Sequence, residues 1–461
     1  MKCLRSVIRW SLAGVLFLVG GVAPWFFGAW EVWWFWPFVV LLAVGCLLAG
    51  ISLLLGDGYF PRRAVWPLLF CLPFCIYILL HWWLRDAVFL NAQRAVLLHV
   101  TGVLVAVLVV FWMRDHQLRW LFWGLFASLV AMSIYGILNH GLTGSQLVLW
   151  RPGYEQYAGR ATGPYFCPNH FAGAMEILIF MGLGLVLDRA SSTRRRACGG
   201  VGIVLGLIAA VMSLSRGSGM TLAAVFALVM VVGFYQWPLS VRHGWRAACV
   251  CGCLFLAICA IVFVDAYRDR FVTYGGLQYI SSEQEGTVVE QVTTRLLRTS
   301  RGRMFTGSWL AWQTSPWWGT GPGMHRNLWP AFAHSGDGDR EAGVWPSLVN
   351  DDFHSYEVHS DWLELLQEQG IIGLMLFLIG CVAVLAVFVR AFKYTARNWR
   401  IHELDTIDNP PEGLYLVLAG FLSMGGMMVH SLGDFNLQMP GTVWMLALVV
   451  GLGIRASIVV E

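Results

Sequence analysis

The chain has 461 residues, 57% of them apolar and only 13% charged, with a formal net charge of +4. Soluble domains run to about 45–50% apolar and about 25% charged, so a soluble enzyme and an intrinsically disordered chain are excluded. The charge excess is too small and too dispersed for a nucleic-acid binder. The 24 tryptophans and 50 glycines suit a bilayer, where interfaces recruit Trp and packed helices recruit Gly.

Apolar runs predict twelve membrane-spanning helices, near residues 10–28, 37–55, 64–84, 95–113, 119–138, 171–187, 199–214, 219–238, 247–265, 370–390, 413–432 and 441–458. The first follows Lys2, Arg5 and Arg9 in the manner of a signal peptide. It continues to Phe27 without a small-x-small cleavage site and therefore reads as an uncleaved span. With the N-terminus inside, the inner connections carry eighteen Lys and Arg. The short outer ones carry five (Arg85, Arg94, Arg151, Arg160 and Arg216), and the remaining eight of the 31 lie in one long outer segment. The positive-inside rule counts short connections only, so this asymmetry places both termini in the cytoplasm. The expected organisation is nine spans in 1–265 with an outer loop at 139–170, a mostly helical extracytoplasmic loop domain at 266–369, and three spans in 370–461.

Loops of about a hundred residues usually carry function. The long outer segment holds eight Arg and thirteen Asp or Glu, a net charge of −5, yet Arg295, Arg298, Arg301 and Arg303 crowd into nine positions. At helical spacing the first three of these point roughly together. The stretch 281–294 is polar, and the inner link 399–413, with Asn409-Pro410-Pro411, reads as a connector. Of eleven cysteines only Cys167 falls outside the spans and their margins, so no disulfide framework is expected there. Cys249, Cys251 and Cys253 sit in an apolar run with no acidic ligand near them in sequence, unlike a zinc motif.

No phosphate-binding GxxxxGK[ST] loop, HExxH helix or paired-Asp motif occurs. Chemistry on the outer face must then use a substrate that arrives activated, and an activated lipid is the natural candidate. The candidate groups cluster at the outer ends of spans. Arg216, in the turn Ser215-Arg216-Gly217-Ser218-Gly219, reads either as an arginine snorkelling to headgroups or as a bidentate phosphate binder backed by exposed N–H groups. Glu176, about five residues inside the sixth span, is costly there unless paired or facing a wet cavity. It is a partner for a nearby Arg or a substrate contact. His430 and Asp434, four residues apart, share a helix face, and a local hydrogen bond sealing that helix end is the simpler reading. His99 reads as a core histidine. His359, followed by Ser360, Asp361 and Glu364 at the mouth of the tenth span, can take a proton from a hydroxyl. The same residues also make a capped helix start, and both readings can hold at once. Trp309, Trp312, Trp317, Trp318, Trp329, Trp345 and Trp362 suit either sugar faces or interfacial anchoring.

Four stretches together resemble the O-antigen ligase and O-antigen polymerase group of membrane glycosyltransferases. They are Gly159-Arg160-Ala161-Thr162-Gly163-Pro164-Tyr165-Phe166-Cys167-Pro168-Asn169-His170-Phe171-Ala172-Gly173, Ser215-Arg216-Gly217, Pro316-Trp317-Trp318-Gly319-Thr320-Gly321-Pro322-Gly323, and His359-Ser360-Asp361-Trp362-Leu363 followed by Glu368 and Gly370. They occur in the family's order, from about residue 150 to 380. The resemblance implies an all-α, class C glycosyltransferase-like membrane fold in a bacterial inner membrane, with a periplasmic active site. It implies a polyprenyl-diphosphate-linked glycan as donor, a glycan, lipid or protein hydroxyl as acceptor, and no metal or other cofactor. It carries the family's two arginines onto Arg216 and Arg301, with Arg303 a close competitor for the second. The family's loop histidine falls on His359, where Ser360 stands at a position often filled by Asn. Arg303, Asp361, Arg160, Asn169, His170 and Glu176 are the expected substrate contacts. Direct attack by the acceptor, with His359 taking or orienting the proton, implies inversion at the anomeric carbon. Chain polymerisation, transfer to protein hydroxyls, small-anion transport and a scaffold with decayed chemistry are the competing functions.

Overall fold

The structure is a computed structural model that describes residues 2–236 apart from 59, 61, 85–87 and 189, together with 300–333, 355–402 and 413–460. The expected ninth span, the Cys249–Cys253 triplet, the 281–294 stretch, Arg295, Arg298, Trp345 and His354 lie outside the described residues, as does most of the 399–413 connector.

Six helices precede the 139–170 loop: α1 (Lys2–Phe17), α2 (Val32–Leu54), α3 (Arg62–Leu69), α4 (Leu72–Leu84), α5 (Phe89–Trp112) and α6 (Asp115–Thr143). Three more follow it, α7 (Pro168–Leu187), α8 (Thr193–Met212) and α9 (Arg216–Gln236). Then come two helices, α10 (Ser300–Gln313) and α11 (His325–Ala333), and finally α12 (Asp361–His402), α13 (Leu414–His430) and α14 (Pro440–Val460). Among the described residues nine segments are long and apolar enough to span a bilayer, α3 and α4 counting together as one, Val65–Leu84. The apolar helices Arg216–Val229 and Leu414–His430 are shorter, and they coincide with the expected eighth and eleventh spans. The fold is that of a polytopic, mostly helical membrane protein.

Hydropathy placed several helix starts too late, because polar residues continue a helix past its apolar run. The tenth span begins at Asp361 rather than 370, and Gly370, at φ +66 and ψ −174, is a kink within α12 instead of its start. At the packing centre stands α7, whose apolar window is 94% buried, against 22% for α2 on the periphery. Small residues permit that approach: a Cβ at Gly182 would stand 2.6 Å from Gly199 O, and one at Gly199 would stand 2.8 Å from Gly182 O. At the basic end, Asp57 binds Arg9 at 3.1 Å and Arg114 at 3.0 Å. At the opposite end the 139–170 loop folds onto the bundle. It contains a two-residue β1 (Leu147–Val148) antiparallel to β2 (Arg151–Pro152), and Arg151 pairs with Glu31.

Candidate active site

The amino end of α12 sets the site. Leu363 N–H donates to Ser360 Oγ at 3.4 Å, making Ser360 the N-cap, and Val358 N–H donates to Glu364 Oε2 at 3.0 Å. These two bonds hold the chain on either side of His359, whose φ of +61 lies in the left-handed region. That conformation costs a non-glycine residue about 1–2 kcal/mol and persists where the surroundings over-determine it. The glycine-rich 316–323 stretch clamps the same helix at its kink. Gly321 N–H donates to Glu368 O at 2.9 Å and Ile371 N–H to Pro316 O at 3.0 Å. The backbones touch so closely that a Cβ at Gly319 would meet Glu368 O at 2.4 Å, and one at Gly370 would meet Trp317 O at 2.3 Å.

A short loop between α13 and α14, residues 431–439, collects side chains from four other segments. Asp361 is buried and faces this loop: its Oδ2 accepts from Ser431 Oγ at 2.7 Å and from Leu437 N–H at 3.0 Å. Asp434 comes from the loop itself. Its Oδ1 stands 3.6 Å from His359 Nδ1 and its Oδ2 stands 3.5 Å from an Arg301 guanidinium nitrogen. Asp434 is 1% exposed, whereas His359 and Arg301 are 23% and 29% exposed. A buried carboxylate thus joins two reactive groups that both reach solvent. Burial alone would raise the Asp434 carboxyl. The facing His359 ring and the positive charge of Arg301 overcome that effect and hold it well below the usual carboxylate range. Phe435 sits between two imidazoles, edge-on to His359 at 4.5 Å and to His170 at 4.4 Å.

Around this centre the remaining candidates form a supporting ring. His430 Nδ1 lies 2.8 Å from Glu176 Oε1, with both side chains fully buried. His170 Nδ1 lies 3.1 Å from Asn436 Oδ1. Arg160 donates to Asn169 Oδ1 at 2.8 Å and to Ser213 O at 2.9 Å, tying the 139–170 loop to the start of α7 and the end of α8. Arg216 is the first residue of α9, capped by Ser215, whose Oγ accepts from Ser218 N–H at 3.3 Å. The adjoining Gly217 abuts His430: a Cβ there would stand 2.8 Å from its Nε2.

Several expectations change on this geometry. Arg216 is itself the first residue of a helix, so the N–H groups expected at a helix start beside it are those of α9. Glu176 partners His430, not an arginine, and the expected local His430–Asp434 bond is replaced by two longer-range pairs. Asp361, expected beside His359, braces the loop, and Asp434 is the carboxylate that faces the histidine. Arg301 and Arg303 both lie on α10, where two residues turn through about 200°. They leave on opposite faces, and Arg301 is the one that reaches Asp434. Sequence reasoning missed Asp434, Phe435 and Asn436 as the organising loop. The available signal was Asp and Asn side chains in a connection of only nine residues between two apolar runs.

Residues 201–378 match the family profile Wzy_C, described as O-antigen ligase. Over that segment the chain is similar to O-antigen ligases. Its match contains Arg216, Arg301, Arg303, His359 and Asp361 and stops short of the 431–439 loop. The carboxylate that joins Arg301 to His359 therefore comes from beyond the matched segment. No curated protein matches the chain.

Proposed function

We propose that the protein transfers a glycan from a polyprenyl diphosphate to an acceptor hydroxyl at the outer face of a bacterial inner membrane. The observation that carries this reading is the meeting of His359 and Arg301 on one buried carboxylate, with both reaching solvent at the head of a membrane helix. In the reaction the acceptor oxygen attacks the anomeric carbon as the bond from that carbon to the diphosphate oxygen breaks. The hydroxyl proton passes to His359, and the polyprenyl diphosphate leaves with its additional negative charge. Arg301, held by Asp434, and Arg216, at the start of α9, neutralise that charge through guanidinium forks, without a metal. Attack opposite the leaving group inverts the anomeric centre.

An apolar cleft of about 190 Å³ supports a lipid-borne donor. Its lining includes Leu98, Phe377, Val384, Met428 and Leu437, and the Leu437 N–H donates to Asp361. An isoprenoid chain lying there keeps the diphosphate beside the 431–439 loop. The acceptor is a saccharide of a lipid core, a growing glycan or a protein side chain. The eighteen-to-five charge asymmetry supports cytoplasmic termini and a periplasmic site.

The test is transfer of a lipid-linked glycan by purified protein in nanodiscs. His359→Ala is expected to lower turnover about 10²–10⁴-fold with donor binding unchanged. Wild-type turnover in that variant would remove the proposed base.

A further inference from the structure

Glu176 and His430 take no part in the proposed transfer step. Their side chains are fully buried, with Glu176 Oε1 2.8 Å from His430 Nδ1, so neither reaches the solvent that His359 and Arg301 share. A carboxylate inside a membrane helix is costly, and an apolar pair of similar volume often serves stability as well or better. What a hydrogen-bonded pair supplies is direction. His430 is the last residue of α13, and the 431–439 loop begins at the next one. Further along the loop, Asn436 is tied to the same helix as Glu176. Its Oδ1 lies 3.1 Å from His170 Nδ1, and Gly173 makes room for its amide, since a Cβ there would stand 2.7 Å from that oxygen. His170, Gly173 and Glu176 follow at three-residue steps along one side of α7. Asp434 sits between the two ties, four residues past His430 and two before Asn436. The loop also meets α12, where Asp361 N–H donates to Asp434 O at 3.1 Å.

We infer that Glu176 and His430 are a positioning pair: their bond fixes where the 431–439 loop leaves α13, and so holds the Asp434 carboxylate between His359 and Arg301. The inference deepens the glycosyl-transfer reading and rests on it for the task of Asp434. The two oxygens of Asp434 face groups on different elements, His359 at the head of α12 and Arg301 on α10. A loop anchored to α12 alone would follow that helix and lose its register with α10. The two ties to α7, the most buried of the candidate spans, set the loop in the frame of the bundle instead. Among the described residues His430 Nε2 has no hydrogen-bond partner, so the bond to Glu176 is what orients the ring. The first turn of α9 closes its other edge, where a Cβ at Gly217 would stand 2.8 Å from Nε2. Glu176 is thereby a positioning residue and not a substrate contact.

A double-mutant cycle with Asp434→Asn tests it, in turnover and in Tm. Glu176→Leu with His430→Leu fills the space with apolar side chains and removes the directional bond. Misplacing a reacting group by 1 Å can cost about 10²-fold, so the double-leucine protein should lose at least about 10-fold in turnover. In an Asp434→Asn background the same replacement should cost no more than about twofold, because changes that act through one group do not add. Tm supplies a cycle that needs no transfer activity: Asp434→Asn should lower the Tm of the wild type and leave that of the double-leucine protein unchanged. Leu422→Ala, a cavity in α13 away from the loop, should lower Tm and keep the full Asp434→Asn effect. Glu176→Gln, which keeps an acceptor for His430, should retain most of the turnover. Gly217→Ala leaves both partners in place and presses on the His430 ring, and it should show the same coupling even if the double-leucine protein does not fold. Equal losses in the two backgrounds would overturn the proposal. So would full turnover in the double-leucine protein, or an Asp434→Asn effect that also vanishes in Leu422→Ala. A wild type without transfer activity would remove the glycosyl-transfer reading and leave the Tm cycle to decide the positioning.

Discussion

Two polar clusters flank the first turns of α12, and they are built in opposite ways. Around Glu368 the bonding is close to complete. Its oxygens accept from Gly323 N–H at 2.8 Å and His325 N–H at 3.0 Å. The His325 ring reaches Gln367 and Ser355 at 2.9 and 3.0 Å, and Arg326 pairs closely with Glu357. Around Asp434, buried polar atoms are left over among the described residues: Asp361 Oδ1, His430 Nε2 and Asn436 Nδ2 have no hydrogen-bond partner. Native proteins rarely leave such atoms unmatched, because each costs about 1–3 kcal/mol. One cluster is therefore a clamp that fixes the 316–323 stretch on the kink of α12. The other leaves polar atoms without a partner among the described residues, with His359 in the left-handed region at its edge, which fits the proposed substrate site. Polar density alone does not separate the two, but hydrogen-bond accounting does.

The comparison breaks most visibly at the arginines. If Arg301 and Arg216 hold a leaving diphosphate, replacing either with Ala should remove about 2–4 kcal/mol of transition-state stabilisation, as for a lost oxyanion donor. That corresponds to roughly 30- to 1000-fold in turnover. Lys should restore only part, having no fork. Transfer by the wild type should be indifferent to EDTA, and inhibition by EDTA reversed with magnesium would sink the two-arginine mechanism.

Much of this was legible in the chain itself, for physical reasons that differ by region. Membrane helices announce themselves because about 20 apolar residues in a row have few other fates. His359 and its Ser360 cap were readable because a helix start is a local event. The pairing of Asp434 with His359 and Arg301 was not, because it joins residues 75 and 133 positions apart. Hydropathy scores such a contact in no window. A local i,i+4 rule instead pointed His430 at Asp434, and packing of α7 and α9 against α13 overrode it. The same rule had nothing to say about Glu176, whose partner lies 254 residues away.

Asp434 offers a smaller and sharper test. Asn in its place keeps the shape and removes the charge that holds Arg301 and faces His359. A lost interaction with a charged group is worth about 1.5–3 kcal/mol, or about 10- to 150-fold in turnover. The pH dependence has a definite sign. The Asp434 carboxyl is held below its ordinary value, so its stabilisation is fully present above the unfolded carboxylate range. It is lost only as pH falls below about 4. The Tm difference between wild type and Asp434→Asn should not narrow from pH 8 to pH 5 and should shrink only at more acid pH. A difference that closes between pH 8 and pH 6 would show that the carboxyl is raised, contrary to its setting.

The smallest effect on turnover belongs to the clamp, and it tests whether the two clusters are separable at all. Glu368 accepts two backbone N–H bonds with two oxygens. Gln keeps one acceptor and turns an NH2 group toward the other N–H. One buried donor then loses its partner, at a cost of about 1–3 kcal/mol in stability. The variant should show a lower Tm, while transfer per folded molecule stays within about twofold of wild type. Leaving only the kink contacts, such as Ile371 N–H to Pro316 O, should still seat the 316–323 stretch on α12. A fall in turnover matching that of Arg301→Ala, with Tm unchanged, would place Glu368 in the chemistry. It would also mean that the satisfied cluster and the unsatisfied one are a single site.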